Sequence, residues 1–149
     1  MHVNDLLKTA VENGASDLHL KVGSFPMMRV SGALMPASEN ARLTHEDTVA
    51  MAASIMSAAQ RQKFKEAQEV DLAYSIPSLG RFRCNVFQQR GTVGMVLRVI
   101  PTRIRSIEEL GLPDVLATIS DEDRGLVLVT GPTGSGKSTT LAAMVDHIN

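Results

Sequence analysis

The chain has 149 residues, 44% of them hydrophobic and 21% charged, a size and balance that fit one ordinary globular domain or a small domain with part of another. Its formal net charge of −1 gives no global attraction to nucleic acid, and with no Trp, one Tyr and four Phe it has few platforms for base stacking, so no nucleic-acid partner is expected. The lone Cys84 excludes an internal disulfide and a cysteine-cluster metal site, no apolar run approaches the roughly 18 residues of a membrane span, and no secretory signal is evident, so a cytoplasmic location is expected.

Asn4 is a candidate cap for a first helix in which Leu6, Leu7, Ala10 and Val11 share a face, with Gly14 as its stop. Asp17 to Val22 alternates strictly and predicts a strand with Leu18, Leu20 and Val22 on one face and Asp17, His19 and Lys21 on the other. Met27 to Val30 and Ala33 to Met35 flank Ser31-Gly32 and read as a hairpin. Thr44 and Asp47 form a candidate capping box for a helix over residues 45 to 57, followed by a helix over 59 to 68 and a strand from Val70 to Ile76. Residues 1 to 100 therefore read as a compact α+β module.

Two further strands, Arg81 to Val86 and Met95 to Ile100, alternate in phase if a tight turn is centred on Arg90-Gly91. Phe82, Cys84, Val86, Met95, Leu97 and Val99 then share one face, which assigns Cys84 to packing. The other face sets Arg83 directly opposite Arg98. Facing like charges weaken a sheet by roughly 0.2–1 kcal/mol, a cost that a bound anion would relieve; the alternative is that these arginines are merely solvated or paired with Asp and Glu elsewhere. His19 reads as a strand-surface or hydrogen-bonded histidine rather than a catalytic base.

Pro101 to Arg105 is polar and basic, and residues 101 to 112 read as a linker in which Ser106 and Glu109 offer a second capping box and Gly111 a stop. Pro113 suits the first turn of a short helix ending near Ile119. After the acidic turn at Asp121 to Arg124, Gly125 to Thr130 reads as a buried parallel strand. It leads into Gly131-Pro132-Thr133-Gly134-Ser135-Gly136-Lys137-Ser138-Thr139, which carries the phosphate-loop pattern GxxxxGK[ST]. Successive backbone N–H groups can wrap a phosphate only where side chains do not crowd them, hence Gly131, Gly134 and Gly136. Lys137 then reaches the β- and γ-phosphates and the Ser138 hydroxyl is placed to ligate Mg²⁺. Leu141, Met144, Val145 and Ile148 at helical spacing predict the helix that should follow, so ATP with Mg²⁺ is the expected ligand.

Three segments, Ala15 to Leu20, Gly80 to Gly91 and Arg124 to Met144, together resemble the type II/IV secretion ATPase superfamily, and most closely its pilus-retraction, twitching-motility branch. The resemblance runs over nearly the whole chain. It implies a PAS-like N-terminal domain at residues 1–100, a linker at 101–112 and the beginning of a RecA-like ATPase domain at 113–149. It also implies a homo-hexameric ring at the cytoplasmic face of the inner membrane, working against platform proteins of the pilus base. Relatives turn a pair of N-terminal-domain arginines with the spacing of Arg83 and Arg98 toward the nucleotide phosphates, which adds these two to Lys137 as catalytic candidates. Whether they act within a subunit or across an interface is open. Leu112 and Pro113 match the region that lies near the adenine in relatives. The acidic box, Walker B segment and histidine box of such ATPases would follow Asn149, so the chain is read as a fragment expected to hydrolyse ATP negligibly by itself. Pilus-extension, accessory-retraction or type II secretion ATPases are the competing enzyme readings, and a non-catalytic oligomerisation module is the competing reading from another class.

Overall fold

The alternation of apolar and polar residues between Asp17 and Ile100 builds one six-stranded antiparallel sheet in the computed structural model, which describes residues 2–101 and 103–149. Contacts divide the chain into two units, Met1–Pro101 and Thr102–Asn149.

The first unit begins with α1 (Val3–Glu12), followed by β1 (Asp17–Lys21), the hairpin β2 (Met27–Val30) and β3 (Ala33–Pro36), then α2 (His45–Ile55) and α3 (Ala58–Ala67), and finally β4 (Glu69–Ile76), β5 (Gly80–Gln89) and β6 (Thr92–Ile100). The strands lie in the order β3-β2-β1-β6-β5-β4, so the first strand is enclosed by the last and by β2. Leu7, Leu18, Leu20, Phe82, Met95 and Leu97 are fully buried where the helices cover one face of the sheet. Each such side chain stabilises the fold by roughly 1.5–3 kcal/mol relative to exposure. Cys84 lies in this core, and burial pushes its thiol up to about 12, as expected of a packing residue rather than a nucleophile.

Local signals account for most boundaries. Thr44 and Asp47 form the reciprocal capping box expected of them, and α3 opens on a second, unexpected box, Ser57 with Gln60. Gly14 at φ +65° ends α1, with the Ala15 N–H bonded to the Ala10 carbonyl at 2.9 Å. Asn4, expected to cap α1, does not: the helix starts at Val3 after an uncapped His2, and the Asn4 side chain instead accepts a hydrogen bond from the Tyr74 hydroxyl at 2.9 Å. The Asn4 side chain is thereby committed to β4 and not to the helix end.

The second unit contains a capped turn, α4 (Val115–Ser120) and α5 (Lys137–His147). Within the segment read as linker, Ser106 and Glu109 exchange both capping bonds and the Leu112 N–H closes on the Ile107 carbonyl at 3.1 Å. Ile107 is buried with Ala143 and Met144, against Leu110, Leu112, Leu116, Ala117 and Ile119, so this segment supplies core as well as connection. Two expectations fail here. Gly125 to Thr130 forms no strand, and Leu126, Val127 and Leu128 are 84%, 47% and 74% exposed. A parallel strand is held by neighbours on both sides, and among the described residues of this unit there is no strand to pair with it. Likewise only Met144 of the predicted apolar face of α5 is buried; Leu141, Val145 and Ile148 are exposed.

Candidate functional site

Two groups of residues carry the chemistry, one in each unit. In the second unit the loop after Thr130 turns through Gly131 at φ +146°, Gly134 at +81° and Gly136 at +89°, backbone conformations that side chains rarely tolerate. At Gly131 a Cβ would also lie 2.8 Å from the Ser135 Oγ, a contact that rotation of the serine hydroxyl would relieve, so it is the positive φ that calls for glycine there. Gly136 is the N-cap of α5 and no side chain caps that end. By helix geometry the first amides of α5, on Lys137, Ser138 and Thr139, are left without intrahelical acceptors and carry the positive end of the helix dipole. The Lys137 Nζ donates to the Pro132 carbonyl at 2.6 Å, folding its ammonium back over the loop. Pro132, Thr133 and Ser138 are exposed around it. This cradle fits a polyphosphate: free amides, one cation and no crowding side chain. Among the described residues no cluster of three or more His, Cys, Asp or Glu could hold a metal ion alone. A magnesium ion here would therefore depend on the Ser138 hydroxyl and on oxygens of the nucleotide itself. Leu112 is half-buried in the small core and Pro113 is exposed, on the approach to α4.

In the first unit, the sheet face away from the helices carries the arginines. The turn at Arg90 (φ +52°) and Gly91 (φ +76°) fixes the register of β5 and β6, and Arg83 pairs with Arg98 as the alternation predicted. Sequence reasoning missed what stands beside them. Because β1 runs antiparallel against β6 with Asp17 opposite Arg98, the Arg98 Nε donates to the Asp17 Oδ1 at 3.0 Å. The other Asp17 oxygen accepts from the Ser16 hydroxyl at 2.8 Å and faces the Arg29 Nε at 4.0 Å. Burial pushes the Asp17 carboxyl up, but the bonds from Arg98 and Ser16 and the charges of Arg98 and His19 outweigh it, so the group is held below its ordinary value and stays ionised. Arg83 is bound more loosely, with its Nη2 at 3.7 Å from the Asp71 Oδ2, a carboxylate also contacted by the Asn85 amide. The facing arginines are thus each compensated by a carboxylate of this chain, and an anion is not required to explain their register.

Asp71, Arg83, Asn85, Val96 and Arg98 line a depression of about 290 Å³ on this face. The Arg83 and Arg98 side chains remain 70% and 68% exposed, and their remaining donors are accessible. His19, on the same face, is half-buried, and its Nε2 has no hydrogen-bond partner. Burial and then the charge of Arg29 hold its imidazole below the usual histidine value, so it is neutral near pH 7.

The profile of the type II/IV secretion system protein family matches residues 1–149. The type IV pilus retraction ATPase PilT of Pseudomonas aeruginosa is 46% identical over 149 residues, which cover all of this chain and 43% of that protein. The type IV pilus ATPase PilU of the same organism is 44% identical, over all of this chain and 39% of its own length. Among solved structures, the pilus retraction motor PilT with bound ADP aligns at a TM-score of 0.84 and 46% identity, covering 99% of this chain and 43% of that one. The Legionella pneumophila ATPase DotB aligns at 0.76 and 29% identity, covering 94% of this chain and 40% of that one. The chain thus spans less than half the length of these relatives.

Proposed function

This chain belongs to the type II/IV secretion system protein family, and from that premise we propose that it is the nucleotide-binding portion of a motor ATPase that drives type IV pilus retraction. The observation that carries the reading is an uncapped helix N-terminus behind a glycine loop, preceded by a sheet that presents two in-register arginines, in a chain similar throughout to a pilus retraction ATPase.

Phosphoryl transfer asks the protein for positioning and charge stabilisation more than for covalent chemistry. In the proposed division of labour the backbone from Gly131 to Thr139 wraps the phosphates of ATP, and Lys137 leaves the Pro132 carbonyl to bind the β- and γ-oxygens. The Ser138 hydroxyl would help to hold Mg²⁺, which would supply positive charge to the phosphates. Arg83 and Arg98 supply positive charge where negative charge develops at the γ-phosphate, either within one subunit or from its neighbour in the ring. Leu112 and Pro113 flank the base. The domains in this reading are a PAS-like module at 1–100, a connecting segment at 101–112 and the start of a RecA-like domain at 113–149. The working state is a homo-hexamer at the cytoplasmic face of the inner membrane, coupled to pilus platform proteins.

An accessory, PilU-like role is the second reading, favoured by the nearly equal identity to that relative. The test is steady-state ATP hydrolysis by the full-length protein together with twitching of cells that depend on it. Magnesium-dependent turnover that Lys137→Ala abolishes, and twitching restored to cells lacking their retraction ATPase, are the expected results. Turnover that survives Lys137→Ala, or robust turnover by the 149-residue chain alone, would overturn the assignment; restoration only in the presence of a second retraction ATPase selects the accessory role.

A further inference from the structure

We propose that Asp17 is a positioning residue for Arg98: it holds the guanidinium through Nε, leaving both η-nitrogens directed to an incoming phosphate, whereas Arg83 is left free to swing. The inference rests on the reading that Arg98 meets the nucleotide.

A guanidinium has five N–H donors in one plane. Engaging Nε with a carboxylate uses one of them and restrains the plane, while the four η N–H groups stay available as a fork for phosphate oxygens. The Asp17 side chain is 10% exposed and its own position is set by its burial on β1 and by the 2.8 Å bond from the Ser16 hydroxyl, with the Arg29 Nε farther off at 4.0 Å adding favourable charge only. From this fixed point the 3.0 Å bond reaches Arg98, whose side chain is 68% exposed. Arg83 has no such support. Its contact with Asp71 is 3.7 Å, too long for a hydrogen bond, and both side chains are mostly exposed, at 70% and 57%. The paired arginines therefore differ: one is oriented before the ligand arrives, and the other loses its rotamer freedom only on capture. Preorganisation of that kind speeds a reaction without adding a contact to the substrate.

The test is a kinetic cycle in the full-length protein, with Asp17→Asn, Arg98→Ala, Arg98→Lys and the double variant Asp17→Asn/Arg98→Ala. Asparagine preserves the shape of the buried carboxylate but removes its charge. Lysine keeps the positive charge at the surface but has no Nε–H fork to be held side-on. Asp17→Asn and Arg98→Lys are each expected to lower kcat about tenfold or more, with KM for ATP changed far less, because displacement of a catalytic charge by about 1 Å is enough for such losses. Asp17→Asn should add no further loss once Arg98 is alanine. An equal loss in both backgrounds would mean that Asp17 only supports the fold, and full turnover in Asp17→Asn or Arg98→Lys would show that the orientation is not needed; either overturns the inference. If Asp17→Asn fails to fold, Arg98→Lys, altered only at an exposed side chain, decides the question. Wild-type turnover in Arg98→Ala would instead remove the role of Arg98 itself, and with it anything for Asp17 to position.

Discussion

Alanine at Arg98 and alanine at Arg83 should differ in stability although the two side chains face each other across the same pair of strands. Arg98→Ala removes a 3.0 Å charge-assisted bond from a carboxylate that is 10% exposed. Losing such a partner costs about 1–3 kcal/mol, and the lower half applies because the Ser16 hydroxyl and Arg29 remain on the other oxygen. The change also relieves the repulsion between the two guanidiniums, which returns about 0.2–1 kcal/mol. The net is a destabilisation of about 1 kcal/mol, equivalent to about 4–8 °C for a unit of this size. Arg83→Ala loses only an exposed ion pair at 3.7 Å, worth about 0–1 kcal/mol, and gains the same relief, so its net change is centred near zero and its melting temperature should stay close to that of the parent. The double variant should be less stable than the sum of the two by the repulsion term, about 0.2–1 kcal/mol, since that relief is obtained once. Thermal unfolding followed by the far-ultraviolet signal of the sheet measures all three. Equal losses at both positions would refute the claim that Asp17 and Asp71 hold their arginines differently.

Acidification should destabilise the first unit in two stages of the same sign. His19 is held below its ordinary value of 6.5 by burial and by Arg29, so the unfolded chain takes up that proton first and stability begins to fall as pH drops below 6.5. The Asp17 contribution is present above its ordinary value of 3.8 and is lost as pH falls through the lower folded value. His19→Gln should flatten the upper stage in a melting-temperature series from pH 7.5 to 3, and a rise in stability on acidification would contradict both assignments. Cys84, with its thiol pushed up to about 12 by burial, should resist maleimide at pH 8 until the protein unfolds; labelling faster than unfolding would show that the core opens there.

The features legible in the sequence were those specified by neighbours along the chain. Thr44 with Asp47, Ser106 with Glu109, Gly14, and the register across Arg90-Gly91 are all local devices, and each is present in the fold. What escaped was non-local. Nothing near Asp17 says that β1 lies beside β6, and so the carboxylate that neutralises Arg98 was invisible while the like-charged partner across the hairpin was plain. Asn4 departs from its expected capping role for the same reason, since Tyr74 reaches it from a distant strand. The apolar run at Leu126 to Val129 shows the converse: a strand-like composition specifies no strand without a neighbour to complete its hydrogen bonds.

The unequal cores of the two units have a dynamic consequence. The first is closed by Leu7, Leu18, Phe82, Met95 and their neighbours, whereas the phosphate loop is tethered through a cluster built on Ile107, Ala143 and Met144. Amide protons of the sheet should therefore exchange with solvent only on global opening, while those of α5 exchange through small local fluctuations. A polyphosphate drawn to the amides of Gly136 and Lys137 would then do more than occupy a cradle. By favouring the conformers in which those amides converge it would slow exchange along α5, so that ligand affinity and local order become two readings of a single equilibrium.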